Sequence, residues 1–278
     1  MKIFFITSKL NFVTAGSSVG EFDLMMRTLQ KLGNEVTAVT IFSGKNDIPK
    51  PLPYPVIERN ITARDLIGIQ CGIYKILKEF EPQADFLHVD GHSSLYAAGL
   101  YRRLGGKTPI SAYFNREQIC WPEAESDSAD KTSFLFNLKK KLRWYVEKYL
   151  GTPLANGIDL MLFTNPHLKK SYEKFGLKPK PDASIIFGDP VDYKKLMSEN
   201  NISENTYIKR NKINEKLNII YSSRMVPGKG FELLIEAFAK IKNKEKFNLI
   251  LGGTGPLEPQ LRQMVKNLKI ENYVQLPG

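Results

Sequence analysis

Short apolar runs rich in β-branched residues alternate with stretches of helical spacing along most of the chain. Strands that are apolar on both faces are typical of a parallel sheet covered by helices on each side. Repeated strand–helix alternation therefore predicts an α/β fold with a doubly wound parallel sheet. The first part of the chain has predicted strands at 2–8, 35–42, 85–90, 109–114, 159–164 and 184–188, and predicted helices at 18–33, 63–80, 93–105, 131–150 and 166–176. Gly33, Gly105 and Gly176 stand at the ends of three of these helices, in the position that suits a left-handed C-cap.

This alternation is interrupted once. Residues 194–216 are polar, rich in Asn and Lys, and predict an interdomain segment or an exposed loop. The pattern restarts over residues 217–278, where a sheet of this size would leave one face exposed. We therefore predict an N-terminal domain over residues 1–193 and an incomplete second domain over 217–278. The second domain has predicted strands at 217–222, 247–253 and 273–278 and predicted helices at 229–241 and 256–268.

The charge balance narrows the classes of partner. The 278 residues carry 40 Lys and Arg against 29 Asp and Glu, a net charge of +11, which favours nucleic acid, anionic lipid or phosphorylated small molecules. No apolar run approaches the ~20 residues that span a bilayer, and the start of the chain does not resemble a signal peptide. Two cysteines are too few for a disulfide framework or a Cys-based metal site, so we expect a cytoplasmic protein with reduced thiols.

Two cations lie in the loop "YSSRMVPGKGF", residues 221–231, between a predicted strand and a predicted helix. Arg224 follows the strand and Lys229 stands where the helix begins. The helix macrodipole disfavours a cation at that end, whereas an anion held there would be bound by Arg, Lys and free N–H groups together. The alternative is a solvated loop whose charges are incidental.

Two glycine-containing turns also follow predicted strands. Gly16, Ser17 and Ser18 precede the first helix, where free N–H groups suit a phosphate, although one serine could simply cap the helix. In "LGGTGP", Gly253 allows the backbone to approach a ligand closely. The dinucleotide fingerprint G-x-G-x-x-G is absent from the first turn, so NAD or FAD binding is not predicted.

Polar residues after two further strands predict a substrate-binding edge. His92 follows the strand at 85–90, and Asn115, Arg116 and Glu117 follow the strand at 109–114. The alternative is an acidic surface loop. The three histidines have no metal-ligand spacing, so no metal site is predicted, and His88 is expected to pack inside its strand.

The predicted helix over residues 131–150 combines aromatic and leucine residues with Lys139, Lys140, Lys141, Arg143 and Lys148. A basic amphipathic helix of this kind can lie on an anionic membrane surface. The alternative is an ordinary helix with a core face and a solvated basic face.

In this order, the motifs resemble the retaining, nucleotide-sugar-dependent glycosyltransferases of family 4, which have the GT-B fold of two Rossmann-like domains. "AGSSVGEFDLMMRTLQKLGNEVTAVT" resembles the family's opening glycine loop, helix and second strand. "SSRMVPGKGFELLIEAF", "LILGGTGPLEPQL" and "VQLPG" resemble three successive motifs of its C-terminal domain.

The resemblance implies a role for each site residue. Arg224 and Lys229 would grip the donor diphosphate and stabilise the charge of the departing nucleotide, so that no metal or other cofactor is required. Gly253 would belong to the same donor site, and Gly16, Ser17 and Ser18 would face the diphosphate. His92, counted with the catalytic residues, would line the acceptor and donor-sugar region together with the segment 115–117. The expected enzyme is a hexosyltransferase of cell-surface polysaccharide or lipopolysaccharide assembly, cytoplasmic or peripheral on the inner face of the membrane.

Departures from the family pattern keep a second interpretation open. Ser223 stands where a glycine is usual, Asn115 where a histidine is common, and residues 187–192 match only loosely. The family's glutamate pair is expected beyond Gly278, so this polypeptide by itself is expected to be inactive. The alternative is a non-catalytic or truncated relative that binds an acceptor or a membrane. A nucleic-acid binder would explain the charge, but no motif supports it.

Overall fold

A computed structural model gives the fold. It describes residues 1–12, 17–91, 94–115, 134–188, 190–203 and 216–278, and describes only the backbone of residues 17, 18, 134–137, 139 and 140. The described residues form two compact units, one up to Leu196 and the other from Met197 to Gly278.

The first unit is built on a seven-stranded parallel sheet, as the alternation predicts. The strand order is β3-β2-β1-β4-β5-β6-β7. Strand β3 was not predicted, because three half-buried or exposed residues are too few to show a period. The strands are β1 (Lys2–Thr7), β2 (Glu35–Thr40), β3 (Val56–Glu58), β4 (Phe86–Asp90), β5 (Ile110–Phe114), β6 (Leu160–Phe163) and β7 (Ser184–Ile186).

Seven α-helices are described up to residue 199: α1 (Ser17–Lys31), α2 (Leu66–Phe80), α3 (Leu95–Arg103), α4 (Phe134–Val146), α5 (Thr152–Ala155), α6 (Pro166–Phe175) and α7 (Tyr193–Glu199), the last of which includes the boundary after Leu196. Their ends follow local chemistry. The side chain of Asn165 accepts a hydrogen bond from the Leu168 N–H at the start of α6. Gly33, Gly105 and Gly176 have left-handed φ angles of 83°, 83° and 110°, which confirms the predicted helix-terminating glycines.

Two predicted segments have more local structure than their patterns indicated. The described part of the helix predicted over 131–150 is α-helical up to Val146 and continues as a π-helical turn, Glu147–Gly151, before α5. The segment from residue 194, predicted as an interdomain segment or an exposed loop, begins inside α7, because Asp192 accepts a hydrogen bond from the Lys195 N–H and so starts the helix.

Apolar side chains pack on both faces of the seven-stranded sheet. Phe4 and Ile6 of β1 belong to a core shared with α2, α3, α5 and α6. Ile3 and Phe5 alternate with them and join α1 in a second core. Burying each such side chain contributes about 1.5–3 kcal/mol, so the two cores fix the strand register and the edge where the strands end.

The second unit is a three-stranded parallel sheet in the order β10-β9-β8. Its elements are β8 (Leu217–Ser222), α8 (Phe231–Ala239), β9 (Phe247–Gly252), α9 (Glu258–Asn267) and β10 (Val274–Gln275). Phe231, Ile235 and Leu261 of the two helices pack against Leu249 and Leu251. On the opposite face Ile220 is exposed, as predicted for a sheet of this size. No helix in the described ranges has the length and apolar composition needed to cross a bilayer.

Candidate functional site

The loop between β8 and α8 is fixed by backbone hydrogen bonds to the loop that follows β9. The Ser223 N–H donates to the Gly252 carbonyl at 3.2 Å, and the Met225 N–H donates to the Thr254 carbonyl at 2.9 Å. The Met225 side chain is fully buried and anchors the middle of the loop. Two predicted motifs that are about thirty residues apart in sequence therefore lie side by side at the carboxyl ends of neighbouring strands, where α/β sheets bind ligands.

Arg224 and Lys229 project from this loop as exposed side chains. Within the described residues neither has a carboxylate partner. Gly230 is the N-cap of α8 in a left-handed conformation with φ of 76°, and it has no side chain that could cap the helix. The first N–H groups of α8 thus lack an intrahelical partner, and Glu232 in the first turn only partly offsets their positive field. This combination of two cations and a helix start can bind an anion.

Gly253 lies against the backbone of the same loop. Its φ is +115°, and a Cβ atom at this position would lie 1.9 Å from the Ser223 carbonyl oxygen. Any side chain at residue 253 would therefore push away the residue that precedes Arg224. The close approach is the structural reason for the glycine, and it couples the shape of the two loops.

In the first unit, Asn115 belongs to a polar group at the carboxyl edge of the sheet. Its Nδ2 lies 3.5 Å from Oδ1 of Asp90 at the end of β4. The Thr7 hydroxyl, at the end of β1, donates to Oδ2 of Asp90 at 3.0 Å. Sequence reasoning missed Asp90 and Thr7, although both stand at the ends of predicted strands and that position was a usable signal.

The structure describes the remaining predicted site residues of the first unit only in part. Gly16, His92, Arg116 and Glu117 lie outside the described residues. Ser17 and Ser18 form the first two residues of α1, and only their backbone is described. Their roles stay predictions.

A cavity of about 930 Å³ lies on the α1 face of the seven-stranded sheet and contains none of the predicted site residues. Its walls are mostly apolar and include Ile3, Phe86 and Leu162. Among the described helices, α1 supplies the core packing on this face, and it packs chiefly against β2, which leaves the β4–β6 side less covered. The cavity therefore arises from the arrangement of the helices, away from the polar carboxyl edge.

His88 borders this cavity and is buried, as predicted. Its Nδ1 lies 2.7 Å from the Ser111 Oγ, its ring lies 4.6 Å from that of Phe5, and its Nε2 has no hydrogen-bond partner among the described residues. Burial lowers the pKa of His88 from its ordinary value of 6.5 to about 3. Among the described residues, no three His, Cys, Asp or Glu side chains come together as a metal site would require.

The depressed pKa of His88 predicts acid sensitivity of the first unit. His88 takes up a proton near pH 6.5 in the unfolded chain, but only near pH 3 in the folded chain. The contribution of neutral His88 to the free energy of unfolding is therefore complete above pH 6.5, and it declines as the pH falls from 6.5 towards 3. Between pH 7 and pH 5 we expect this residue to lower the free energy of unfolding by about 2 kcal/mol. Urea denaturation followed by tryptophan fluorescence measures the free energy of unfolding of the first unit, because both tryptophans precede Leu196, where this unit ends.

The variant His88→Phe supplies the comparison. It should be destabilised at pH 8, since Ser111 loses its partner, but its stability should fall about 2 kcal/mol less than that of the wild type between pH 7 and pH 5. Equal pH dependence in both proteins would show that His88 does not carry the effect.

Comparison with known proteins agrees with this architecture. Residues 203–278 match the family model described as "Glycosyl transferases group 1". The matched part contains both loops of the second unit, with Arg224, Lys229 and Gly253. No curated protein matches the chain.

Solved structures match almost the whole chain at low sequence identity. The lipopolysaccharide outer core galactosyltransferase WaaB, in its apo form, superposes with a TM-score of 0.67 at 12% identity, over 100% of this chain and 68% of that one. WaaG, a glycosyltransferase involved in lipopolysaccharide biosynthesis, superposes with a TM-score of 0.54 at 15% identity, over 99% of this chain and 69% of that one. The structure described as trehalose-6-phosphate from E. coli bound with UDP-2-fluoro glucose superposes with a TM-score of 0.59 at 11% identity, over 99% of this chain and 73% of that one. The fold is that of the GT-B glycosyltransferases.

Proposed function

We propose that this chain belongs to a retaining glycosyltransferase of family 4, of the hexosyltransferase type. The enzyme transfers a sugar from a nucleotide-diphosphate sugar to a glycan or lipid-linked acceptor in the assembly of cell-surface polysaccharide or lipopolysaccharide. One observation carries the proposal. Arg224 and Lys229 stand exposed and without carboxylate partners among the described residues, on a loop that is bonded to the Gly253 loop, inside the part of the chain that matches group 1 glycosyl transferases.

The chemistry needed at this loop is electrostatic. When the bond between the anomeric carbon and the diphosphate oxygen breaks, negative charge accumulates on the departing nucleoside diphosphate. Arg224, Lys229 and the first N–H groups of α8 would stabilise that charge, each charge-assisted hydrogen bond contributing about 1.5–3 kcal/mol. With two fixed cations in this role, the proposed reaction requires no metal ion.

Acceptor binding is proposed at the polar edge of the first unit. Asn115 and the Asp90 carboxylate offer a donor and an acceptor for the hydroxyl groups of a sugar. His92, Arg116 and Glu117 follow the same strand ends in sequence and would complete this region. The enzyme would work in the cytoplasm or on the inner face of a membrane, with its basic segment of residues 131–150 toward the lipid.

A second candidate function is a non-catalytic relative that binds an acceptor or a membrane. Asn115 favours it, because a histidine is common at this position in the family that the sequence resembles. Such a module would bind glycan or lipid without requiring the diphosphate site.

Calorimetric titration of the purified chain with UDP, UMP and uridine tests the proposal. We expect UDP to bind at least about tenfold more tightly than UMP, and uridine to bind too weakly to measure, because the diphosphate supplies most of the charge. Equal affinity for UDP and uridine, or no binding of UDP, would refute the diphosphate site.

A further inference from the structure

A row of large apolar side chains lies exposed along α4 and the π-helical turn that follows it. Leu138, Leu142, Tyr145 and Tyr149 recur at intervals of four, three and four residues, which places them on one side of the helix. Between 45% and 65% of each side chain is exposed, and Leu150 beside them is 57% exposed. We call the first four side chains the apolar row. They are not part of either core of the first unit.

The helix is fixed to the unit by its other side. Glu147 is fully buried, where its carboxylate accepts hydrogen bonds from Arg143 at 2.7 Å and from the Tyr96 hydroxyl at 3.0 Å. The Trp144 ring makes an edge-to-face contact with the buried ring of Phe175, at 5.8 Å between centroids. The apolar row is therefore held outward by specific contacts, and its exposure does not result from a loosely packed helix.

The tyrosines of the row and the side chains beside them have the chemistry of residues found at a lipid–water interface. The rings of Tyr145 and Tyr149 stack at 5.9 Å with an angle of 14° between their planes. The Lys148 ammonium lies 4.5 Å from the centre of the Trp144 ring. Tyr, Trp and Lys each combine an apolar body with a polar tip, and such residues are enriched where bilayers meet water.

The charge of this segment complements an anionic surface. Its basic residues are Lys139, Lys140, Lys141, Arg143 and Lys148. The one acid between residues 134 and 151 is Glu147, which is buried and paired with Arg143. No exposed acidic side chain of this segment therefore opposes an approach to anionic lipid, and the chain as a whole carries +11.

We propose that the apolar row docks the first unit on an anionic lipid surface, with Leu138, Leu142, Tyr145 and Tyr149 entering the boundary between headgroups and acyl chains. The flanking lysines bind the lipid phosphates. This inference rests on the peripheral membrane location proposed above, and it identifies the side chains that contact the lipid. It requires neither a donor nor an acceptor sugar.

Vesicle flotation of the purified chain tests the docking surface. The vesicles contain phosphatidylglycerol and phosphatidylcholine in equal parts, or phosphatidylcholine alone. Two variants probe the docking surface. The apolar-row variant combines Leu142→Ser with Tyr149→Ser, and the charge variant combines Lys139→Glu, Lys140→Glu and Lys141→Glu. We expect the wild type to float only with the anionic vesicles, and each variant to lose at least about tenfold in partitioning.

Matched controls alter similar side chains elsewhere. Ile67→Ser with Leu104→Ser removes two exposed apolar side chains of the same unit, and Lys240→Glu with Lys242→Glu and Lys246→Glu makes the same change in net charge outside α4. Both controls should float as the wild type does. The proposal is overturned if the wild type does not float, if the apolar-row variant floats normally, or if the controls lose partitioning equally.

Sedimentation and UDP titration distinguish lipid docking from a protein interface and from a failure of the donor site. If sedimentation shows a dimer that Leu142→Ser with Tyr149→Ser dissociates, while no form floats, the row is a protein interface and the proposal is overturned. UDP titration of the same preparations is independent of lipid. Retained UDP binding together with lost flotation of the apolar-row variant supports the docking surface, and failure of UDP binding in a wild type that floats counts against the donor site alone.

Discussion

Replacing both Arg224 and Lys229 by alanine should weaken the binding of UDP by about a thousandfold. Each cation is expected to contribute about 2 kcal/mol through charge-assisted hydrogen bonds to the diphosphate, and about 1.4 kcal/mol corresponds to a tenfold change in affinity. Both side chains are exposed and make no ion pair in the described part of the chain, so their removal should leave the free energy of unfolding nearly unchanged. Isothermal titration calorimetry gives the affinity, and urea denaturation gives the stability.

The control variant is Lys240→Ala with Lys242→Ala, which removes two cations from the same unit beyond α8. It should lose less than about threefold in affinity, because charges that do not contact the ligand act only through a screened field. If both double variants weaken UDP binding equally, general charge accounts for the binding. If neither changes it, Arg224 and Lys229 are not in the site.

The substitution Gly253→Ala should disrupt both loops of the second unit. The methyl group would lie 1.9 Å from the Ser223 carbonyl oxygen, and alanine would also have to adopt a φ of +115°. Strain and overpacking together are expected to cost about 3 kcal/mol. The displaced Ser223 should move Arg224 and reduce UDP binding by at least about tenfold. Hydrogen exchange at the Met225 amide, which donates to the Thr254 carbonyl, reports the local loosening.

Gly33→Ala is the matched control for this change. Gly33 has a φ of +83°, but a Cβ atom there would meet nothing within 4 Å. It should therefore show only the cost of the left-handed conformation, about 1 kcal/mol, and leave UDP binding intact. A Gly253→Ala variant as stable as Gly33→Ala, with normal affinity, would show that the contact with Ser223 does not shape the site.

Sequence periodicity predicted the architecture because its signals are local. Strand β1 contains the continuous apolar run of residues 3–6, and the glycines after α1, α3 and α6 end those helices as expected. The short edge strand β3 and the helix α7 lack a strong period, and their formation depends on pairing with β2 and on capping by Asp192.

Other features could not be predicted because they depend on contacts between distant residues. Thr7 and Asp90 are 83 positions apart, and they meet only because β1 and β4 are neighbours in the sheet. The pattern of α4 shows that the helix is amphipathic, but it does not show which apolar residues face the core. Trp144 contacts the buried Phe175, whereas its neighbour Tyr145 is exposed. Similarly, the loops that carry Arg224 and Gly253 are joined by backbone hydrogen bonds that no sequence motif reveals.

The most direct measurement is a map of the amide NMR shifts that change when UDP is added to the isotope-labelled chain. The central claim is that a nucleoside diphosphate binds where the loops after β8 and β9 meet. The predicted result is that the largest shifts fall on the amides of residues 224–226, 228–231 and 253–255, and that they saturate at the UDP concentrations that the calorimetric affinity predicts. Saturable shifts confined to other parts of the chain, or no shifts at UDP concentrations that saturate binding, would contradict it.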